Sequence, residues 1–361
     1  MGTLSELFRT FGPEYLTTYG ADMPAGHRKV LRALMACRTA ACGVVGYTCS
    51  QCGEPHWAFG SCGNRHCPQC QHHKSRLWLY RRLASALPGH HFLITFTVPE
   101  TLRPFLRSHQ RAAYGALFTA SADAIKTLAR DPRHIGGDLP GFFGVLHTWG
   151  RQLAYHPHIH YVVPGGAVST PDETWHPSRV DFYLPVKALS QIYRAKFREA
   201  MHHLGLFAAI PAVVWTIDWN VNCQAVGASE ASLKYLAPYV FRVAIADNRI
   251  LKVEGRTVWF QYRKPHSRRL RTMALDVLEF LRRFLQHVLP TGFMKIRYYG
   301  FMQANCAIPH ARLVARIELA SGFTMAPVPA VVPAPPPPLL CSHCGGRLIY
   351  RWTLRPDQRS P

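Results

Sequence analysis

The sequence predicts an α+β protein, and three observations carry that prediction. A strand-like run begins at His90, where Phe92, Ile94 and Phe96 alternate with Leu93, Thr95 and Thr97 before Pro99 ends it. Helical spacing recurs between such runs, most clearly at Val277, Leu278, Leu281, Phe284, Leu285 and Val288, which share one face. Strands and helices interleave too irregularly for a doubly wound parallel sheet, so an antiparallel sheet is expected.

Taken in order, residues 1–36 show helical periodicity at Leu4, Leu7 and Phe8 and again at Val30, Leu31 and Leu34. A cysteine-rich segment follows, then a basic amphipathic stretch from His72 to Leu87 with Lys74, Arg76, Arg81 and Arg82. Together, residues 1–88 read as a small helical, zinc-binding and DNA-binding module. A second domain, 89–325, is expected to hold strands near 90–98, 142–149, 157–163, 213–219 and 257–263, with helices near 103–130, 187–205, 229–242 and 271–289. The apolar stripe from Val277 to Val288 is core and not a cofactor box. Residues 326–361 form a Pro-rich, extended tether carrying a Cys341-Ser-His-Cys344 knuckle and a basic tail from Arg347 to Arg359.

In 361 residues, 42 Lys and Arg stand against 20 Asp and Glu, a formal net charge of +22. With 48% hydrophobic residues the chain has ample core and is not disordered over most of its length, so the charge points to a folded protein with a polyanionic partner. No apolar run approaches the roughly 18 residues that span a bilayer. The start, Met-Gly-Thr-Leu-Ser-Glu, lacks the basic and apolar regions of an export signal, and a soluble intracellular protein with no membrane partner is expected.

Seven of the 11 Cys fall between Cys37 and Cys70. In a reducing compartment such clustering favours metal over disulfides. Cys49-x-x-Cys52 and Cys67-x-x-Cys70, 14 residues apart, make one complete Cys₄ set by spacing, leaving Cys37, Cys42, Cys62 and His66 as candidates for a second site. Of these, Cys42 reads better as a small packed residue. A closed Cys₄ site has no open position, so its zinc holds a fold and does no chemistry. Cys341 and Cys344 need further ligands, for which Cys306 and His310 are the sequence candidates, and Cys223 reads as a buried thiol.

The stretch Tyr155-His-Pro-His-Ile-His-Tyr-Val-Val-Pro-Gly-Gly166 is the most informative. On a strand His158 and His160 share a face and form a bidentate metal grip, while Pro157 sets His156 outside the regular pairing. In Ser232-Leu-Lys-Tyr235-Leu-Ala-Pro-Tyr239-Val-Phe-Arg242 two tyrosines stand four apart, with Lys234 and Arg242 placed to meet a phosphate. A cation on the imidazoles and a tyrosyl nucleophile together suit attack on a DNA phosphodiester. The product would be a 5′-phosphotyrosine and a free 3′-OH, and reversal with another 3′-OH joins DNA without ATP. Mg²⁺ or Mn²⁺ needs at least one more ligand, with Gln152, His156, Asp218 and Glu230 as candidates.

Several of these motifs resemble the insertion-sequence ninety-one group of transposases. Cys49-x-x-Cys52 followed by Ser61-Cys-Gly-Asn-Arg-His-Cys-Pro-Gln-Cys-Gln71 is similar to their N-terminal zinc-binding domain, and His91 to Pro99 to their first nuclease strand. Leu146-His-Thr-Trp-Gly150 with His156-Pro-His-Ile-His160 resembles their HUH motif, and Tyr235-Leu-Ala-Pro-Tyr239 their tyrosine motif. His287-Val-Leu-Pro with Ile296-Arg-Tyr-Tyr-Gly300 resembles the region after it. The resemblance implies an HUH core of antiparallel sheet flanked by helices, and a single-strand-specific endonuclease and strand transferase working by rolling-circle transposition. It implies His158 and His160 as the cation pair (Mg²⁺ or Mn²⁺), Tyr235 and Tyr239 as nucleophiles, and structural Zn²⁺ on ligands drawn from Cys37, Cys49, Cys52, Cys62, His66, Cys67 and Cys70. The partner is then single-stranded DNA at element ends and target, in a bacterial cytoplasm at the nucleoid.

For DNA contact, Lys74, Arg76, Arg81, Arg82, Lys234, Arg242, Arg263 and Lys264 supply cations, with Trp259, Phe260 and Tyr262 close enough in sequence to stack on bases. If about six phosphates are neutralised on a single strand, log K should fall with log salt at a slope of roughly −4. Two rivals stand beside this reading. One is a non-catalytic zinc-finger DNA-binding protein derived from a transposase, and the other a metallohydrolase in which His158 and His160 activate water.

Overall fold

The computed structural model describes residues 4–228, 233, 240, 244–263, 269–322 and 337–356. Two helices, α1 (Leu4–Tyr19) and α2 (Ala25–Ala36), open the chain. A hairpin of β1 (Val44–Cys49) and β2 (Pro55–Phe59) follows, and then α3 (Pro68–Ala84), which starts with Pro68 in its first turn where a missing N–H costs nothing.

The central sheet is five-stranded, in the order β12-β4-β5-β3-β8, with every neighbouring pair antiparallel. Its members are β3 (His90–Thr97), β4 (Phe142–Trp149), β5 (Tyr155–Pro164), β8 (Val221–Ala228) and β12 (Ile296–Tyr299). Between β3 and β4 run α4 (Arg103–Ser108) and α5 (Gln110–Arg130), and α6 (Val186–His203) comes before β8. A small β6–β7 hairpin (Gly166–Ser169 and Thr174–Pro177) lies between β5 and α6. One face of the sheet presents Phe92, Ile94, Phe96, Ile159, Tyr161 and Val163 to α5 and α6, forming the largest core. The other face carries Leu93, Phe143, Val145 and Val162, and Trp78 and Leu83 of α3 cover part of it.

Further along, β9 (Ile250–Glu254), β10 (Thr257–Arg263) and β11 (Leu270–Asp276) form a second sheet, ordered β11-β10-β9. Helix α7 (Val277–Leu285) follows directly, and α8 (His310–Ser321) follows β12. Every residue of the predicted stripe from Val277 to Val288 is buried. It packs with Leu4, Leu7, Phe8, Leu31 and Leu34, so a core runs across the boundary read at residue 88. Strand β13 (Leu348–Leu354) pairs antiparallel with β1, giving a sheet ordered β13-β1-β2. The Cys341–Cys344 segment is thus fastened to the N-terminal hairpin.

Two predicted elements differ. Residues 213–219 are not a strand: Ala212–Trp215 is a short 3₁₀ turn after Pro211, and the edge strand is β8. Trp219 is buried and its indole N–H donates to the Val214 carbonyl at 3.0 Å, which satisfies that apolar run without sheet pairing. The helix expected over 271–289 is split, with Leu270–Asp276 forming β11 against β10. Asp276 caps the helix that follows by accepting the Leu278 N–H at 2.8 Å, so helix begins only at Val277. Of the helix expected near 229–242, only Leu233 and Val240 are among the described residues. No helix among the described residues is long and apolar enough to cross a membrane.

Candidate catalytic site and zinc centres

Alternation along β5 decides what each residue meets. Ile159 and Tyr161 enter the core, while His156, His158 and His160 point to the opposite face. Antiparallel register then brings a third imidazole in from β4, since His147 stands opposite His158 and Val145 opposite His160. Ring nitrogens of His147, His158 and His160 all lie within 4.8 Å of one another. Their rings meet edge to face, with centroids 4.7 Å apart for His158 and His160 and 4.8 Å apart for His147 and His160.

The surroundings fix how two of these rings present themselves. His158 Nδ1 donates to the His156 carbonyl at 2.7 Å, which leaves its Nε2 lone pair for a ligand. Thr95, directly across from His160 on β3, holds His160 Nδ1 at 2.8 Å through Oγ1. Burial, reinforced by the neighbouring His160, pushes His158 well below the usual imidazole range. Burial, then the charge of His156, pushes His160 down to about 4. Both are neutral near pH 7, the form that coordinates a metal. The donor set is therefore chemically suited to a divalent cation.

Sequence reasoning found two of these imidazoles and not His147. Of its candidates for the third ligand, Gln152 and Asp218 are exposed and Glu230 lies outside the described residues. His156 instead supplies the carbonyl that orients His158.

The thiols sort differently from the spacing argument. Cys37, Cys62, Cys67 and Cys70 form one cluster, with Sγ–Sγ distances of 3.6 Å for Cys37–Cys67, Cys37–Cys70 and Cys62–Cys70. Cys49 and Cys52 join Cys341 and Cys344 instead. The expected Cys49, Cys52, Cys67, Cys70 set is thus split. Cys37 ends α2 beside the start of α3, and β13 brings the distant knuckle to the end of β1. Among the described residues Cys306 and His310 are not part of the Cys341–Cys344 cluster.

His66 is not in a thiol cluster either. It is buried, its Nε2 accepts the Leu289 N–H at 3.1 Å, and its Nδ1 lies 3.2 Å from Asn64 Oδ1. With both nitrogens used and burial pushing it down to about 3, it is a neutral strut between the cysteine module and the residues after α7. Cys42 sets its thiol against the Ala36 carbonyl at 3.1 Å and is only partly buried, and Cys223 is partly buried against the main core.

Among the predicted DNA contacts, Lys74, Arg76 and Arg81 are exposed on α3, whose inner face sets Trp78 against Phe143 and Tyr298. Arg82 is half-buried, its guanidinium 5.3 Å from the centroid of the Tyr298 ring. Arg263 is exposed at the end of β10. Phe260 is fully buried against Phe280, because β10 turns Val258 and Phe260 inward, so it cannot stack on bases. Trp259 is partly buried with the Lys252 ammonium 5.3 Å from its ring centroid, and Tyr262 is also partly buried. Lys234, Tyr235, Tyr239, Arg242 and Lys264 lie outside the described residues. Leu233 and Val240, which bracket the two tyrosines, are buried in the same cluster as Phe143, Val145 and Val162. That cluster occupies the face of the sheet that carries the imidazoles.

Comparison with known proteins defines the class as a zinc-binding domain joined to a transposase domain. Residues 7–98 match the family described as "Transposase zinc-binding domain" and residues 141–309 the one described as "Putative transposase". The chain is 38% identical over 319 residues to "Putative transposase y4qJ" of Sinorhizobium fredii (strain NBRC 101917 / NGR234), covering 83% of this chain and 80% of that protein. It is 26% identical over 347 residues to the transposase for insertion sequence element IS801 of Pseudomonas savastanoi pv. phaseolicola, covering 88% and 81%. The chain belongs to the insertion-sequence ninety-one (IS91) family of transposases. No solved structure matches it.

Proposed function

We propose that this transposase nicks and rejoins single-stranded DNA at element ends and target through a 5′-phosphotyrosine intermediate, in rolling-circle fashion. The observation that carries the proposal is the shared face: three imidazoles converge on the side of the sheet where Leu233 and Val240, which flank Tyr235 and Tyr239 in sequence, are buried.

In the proposed reaction a tyrosyl oxygen of Tyr235 or Tyr239 attacks the scissile phosphorus in line. A P–O bond to the phenol forms, the P–O bond to the 3′ oxygen breaks, and the phenolic proton is lost as the 3′ oxygen gains one. Because the new phosphodiester keeps the energy of the old one, a 3′-OH from another strand reverses the step. Two tyrosines allow two such linkages in succession. His147, His158 and His160 would hold a divalent cation, which when bound polarises the phosphate and offsets charge developing on it. All three donors are nitrogen, which favours Mn²⁺ over the harder Mg²⁺. The His156 carbonyl and Thr95 hold the imidazoles in place, while Lys74, Arg76 and Arg81 on α3 offer exposed charge to the DNA backbone. Cys37, Cys62, Cys67 and Cys70 would hold a structural zinc. A closed Cys₄ shell keeps α3 in position and leaves no site for substrate.

The test is denaturing electrophoresis with 5′- and 3′-labelled single strands. Wild type should give a shifted band that survives SDS, and Tyr235→Phe with Tyr239→Phe together should abolish it. Salt-sensitive binding without an adduct would support a non-catalytic DNA-binding protein, and cleavage without attachment a metallohydrolase.

A further inference from the structure

The two ends of the chain meet at a second group of four thiols, and neither matched family segment, 7–98 or 141–309, reaches its C-terminal half. Cys49 and Cys52 sit at the β1–β2 turn. Cys341 and Cys344 sit in the turn leading into β13, whose register on β1 runs from Val44 opposite Leu354 to Cys49 opposite Leu348. The sulfurs lie 3.4 Å apart for Cys49–Cys344, 3.4 Å for Cys52–Cys344 and 3.8 Å for Cys52–Cys341. A tetrahedral ion with Zn–S near 2.3 Å would set its sulfurs about 3.8 Å apart.

Backbone details favour thiolates around a cation over a pair of disulfides. The N–H two residues beyond a cysteine donates to its sulfur three times, each at 3.4 Å: Gln51 to Cys49, His343 to Cys341 and Gly346 to Cys344. Each knuckle is followed by a glycine in the left-handed region, Gly53 at φ 73° and Gly345 at φ 76°, so the two turns share one design. Gly346 comes so close that a Cβ there would stand 2.9 Å from Cys49 Sγ, so a side chain in that place would force the Cys49 and Gln51 side chains to shift.

We propose that Cys49, Cys52, Cys341 and Cys344 form a second Cys₄ zinc centre, closed between the two ends of the chain, so that one molecule carries two zinc ions. His56 stands outside the shell with Nε2 3.1 Å from Cys341 Sγ, placed to donate to that thiolate and offset its charge. The ion would hold β13 on the edge of β1, independently of whether the histidine face performs strand transfer.

The experiment is metal counting on the full-length protein purified under reducing conditions. Wild type and Cys306→Ser should each carry two zinc ions per chain, and Cys341→Ser with Cys344→Ser together should carry one. A folding-independent measurement uses wild type alone. Under stepwise chelation with alkylation and mass spectrometry, Cys49, Cys52, Cys341 and Cys344 should become reactive as one group, apart from Cys37, Cys62, Cys67 and Cys70. One zinc in wild type, two in the double variant, a disulfide among the four, or Cys341 and Cys344 reacting without metal release would each overturn the proposal.

Discussion

On one face of the central sheet Ile159, Tyr161 and Val163 of β5 disappear into the α5–α6 layer, and on the other, one residue along, His158 and His160 meet His147 from β4. The apolar face is closed by two long helices. Among the described residues, the histidine face is covered by Trp78 and Leu83 of α3 and by Leu233 and Val240. Neighbouring residues of one strand thus carry opposite loads, the fold on one side and, in the proposed function, the chemistry on the other.

That contrast can be broken by substitution, starting with the largest effect. His158→Ala or His160→Ala should lower adduct formation on single-stranded DNA by more than about 100-fold, because loss of a mere supporting hydrogen bond already costs about 10–100-fold. Thermal unfolding should stay near wild type. Ile159→Ala, between them in sequence, should instead cost about 2–5 kcal/mol in urea unfolding, as buried Ile truncations do. If both kinds of variant lost stability equally, the division between the faces would be wrong. Thr95→Val removes the hydroxyl at His160 Nδ1 and should weaken Mn²⁺ binding in titration calorimetry by about 10–100-fold. Asp276→Ala lies on neither face and removes the α7 cap together with an exposed ion pair to Arg256, so it should cost about 1 kcal/mol of stability and leave adduct formation unchanged.

The same comparison explains what could be read in advance. His158 and His160 were legible because period-2 alternation within one strand is local information. His147 was not, since its place depends on the β4–β5 register that sets it opposite His158. The α7 stripe was legible from helical spacing, whereas Leu270–Asp276 was absorbed into that helix because only its pairing with β10 makes it a strand. Knuckle spacing pointed to zinc, yet the grouping of the thiols is decided by β13 on β1 and by Cys37 at the end of α2. Phe260 was read as a base-stacking residue, although strand parity puts it in the core.

The most direct test of the central claim is mass spectrometry of the covalent adduct after nuclease digestion. A nucleotide joined through its 5′ phosphate should appear on the peptide bearing Tyr235 and Tyr239, in amounts that depend on added Mn²⁺ or Mg²⁺ and vanish in His147→Ala. Attachment at any other residue, or cleavage that leaves those tyrosines unmodified, would contradict the account.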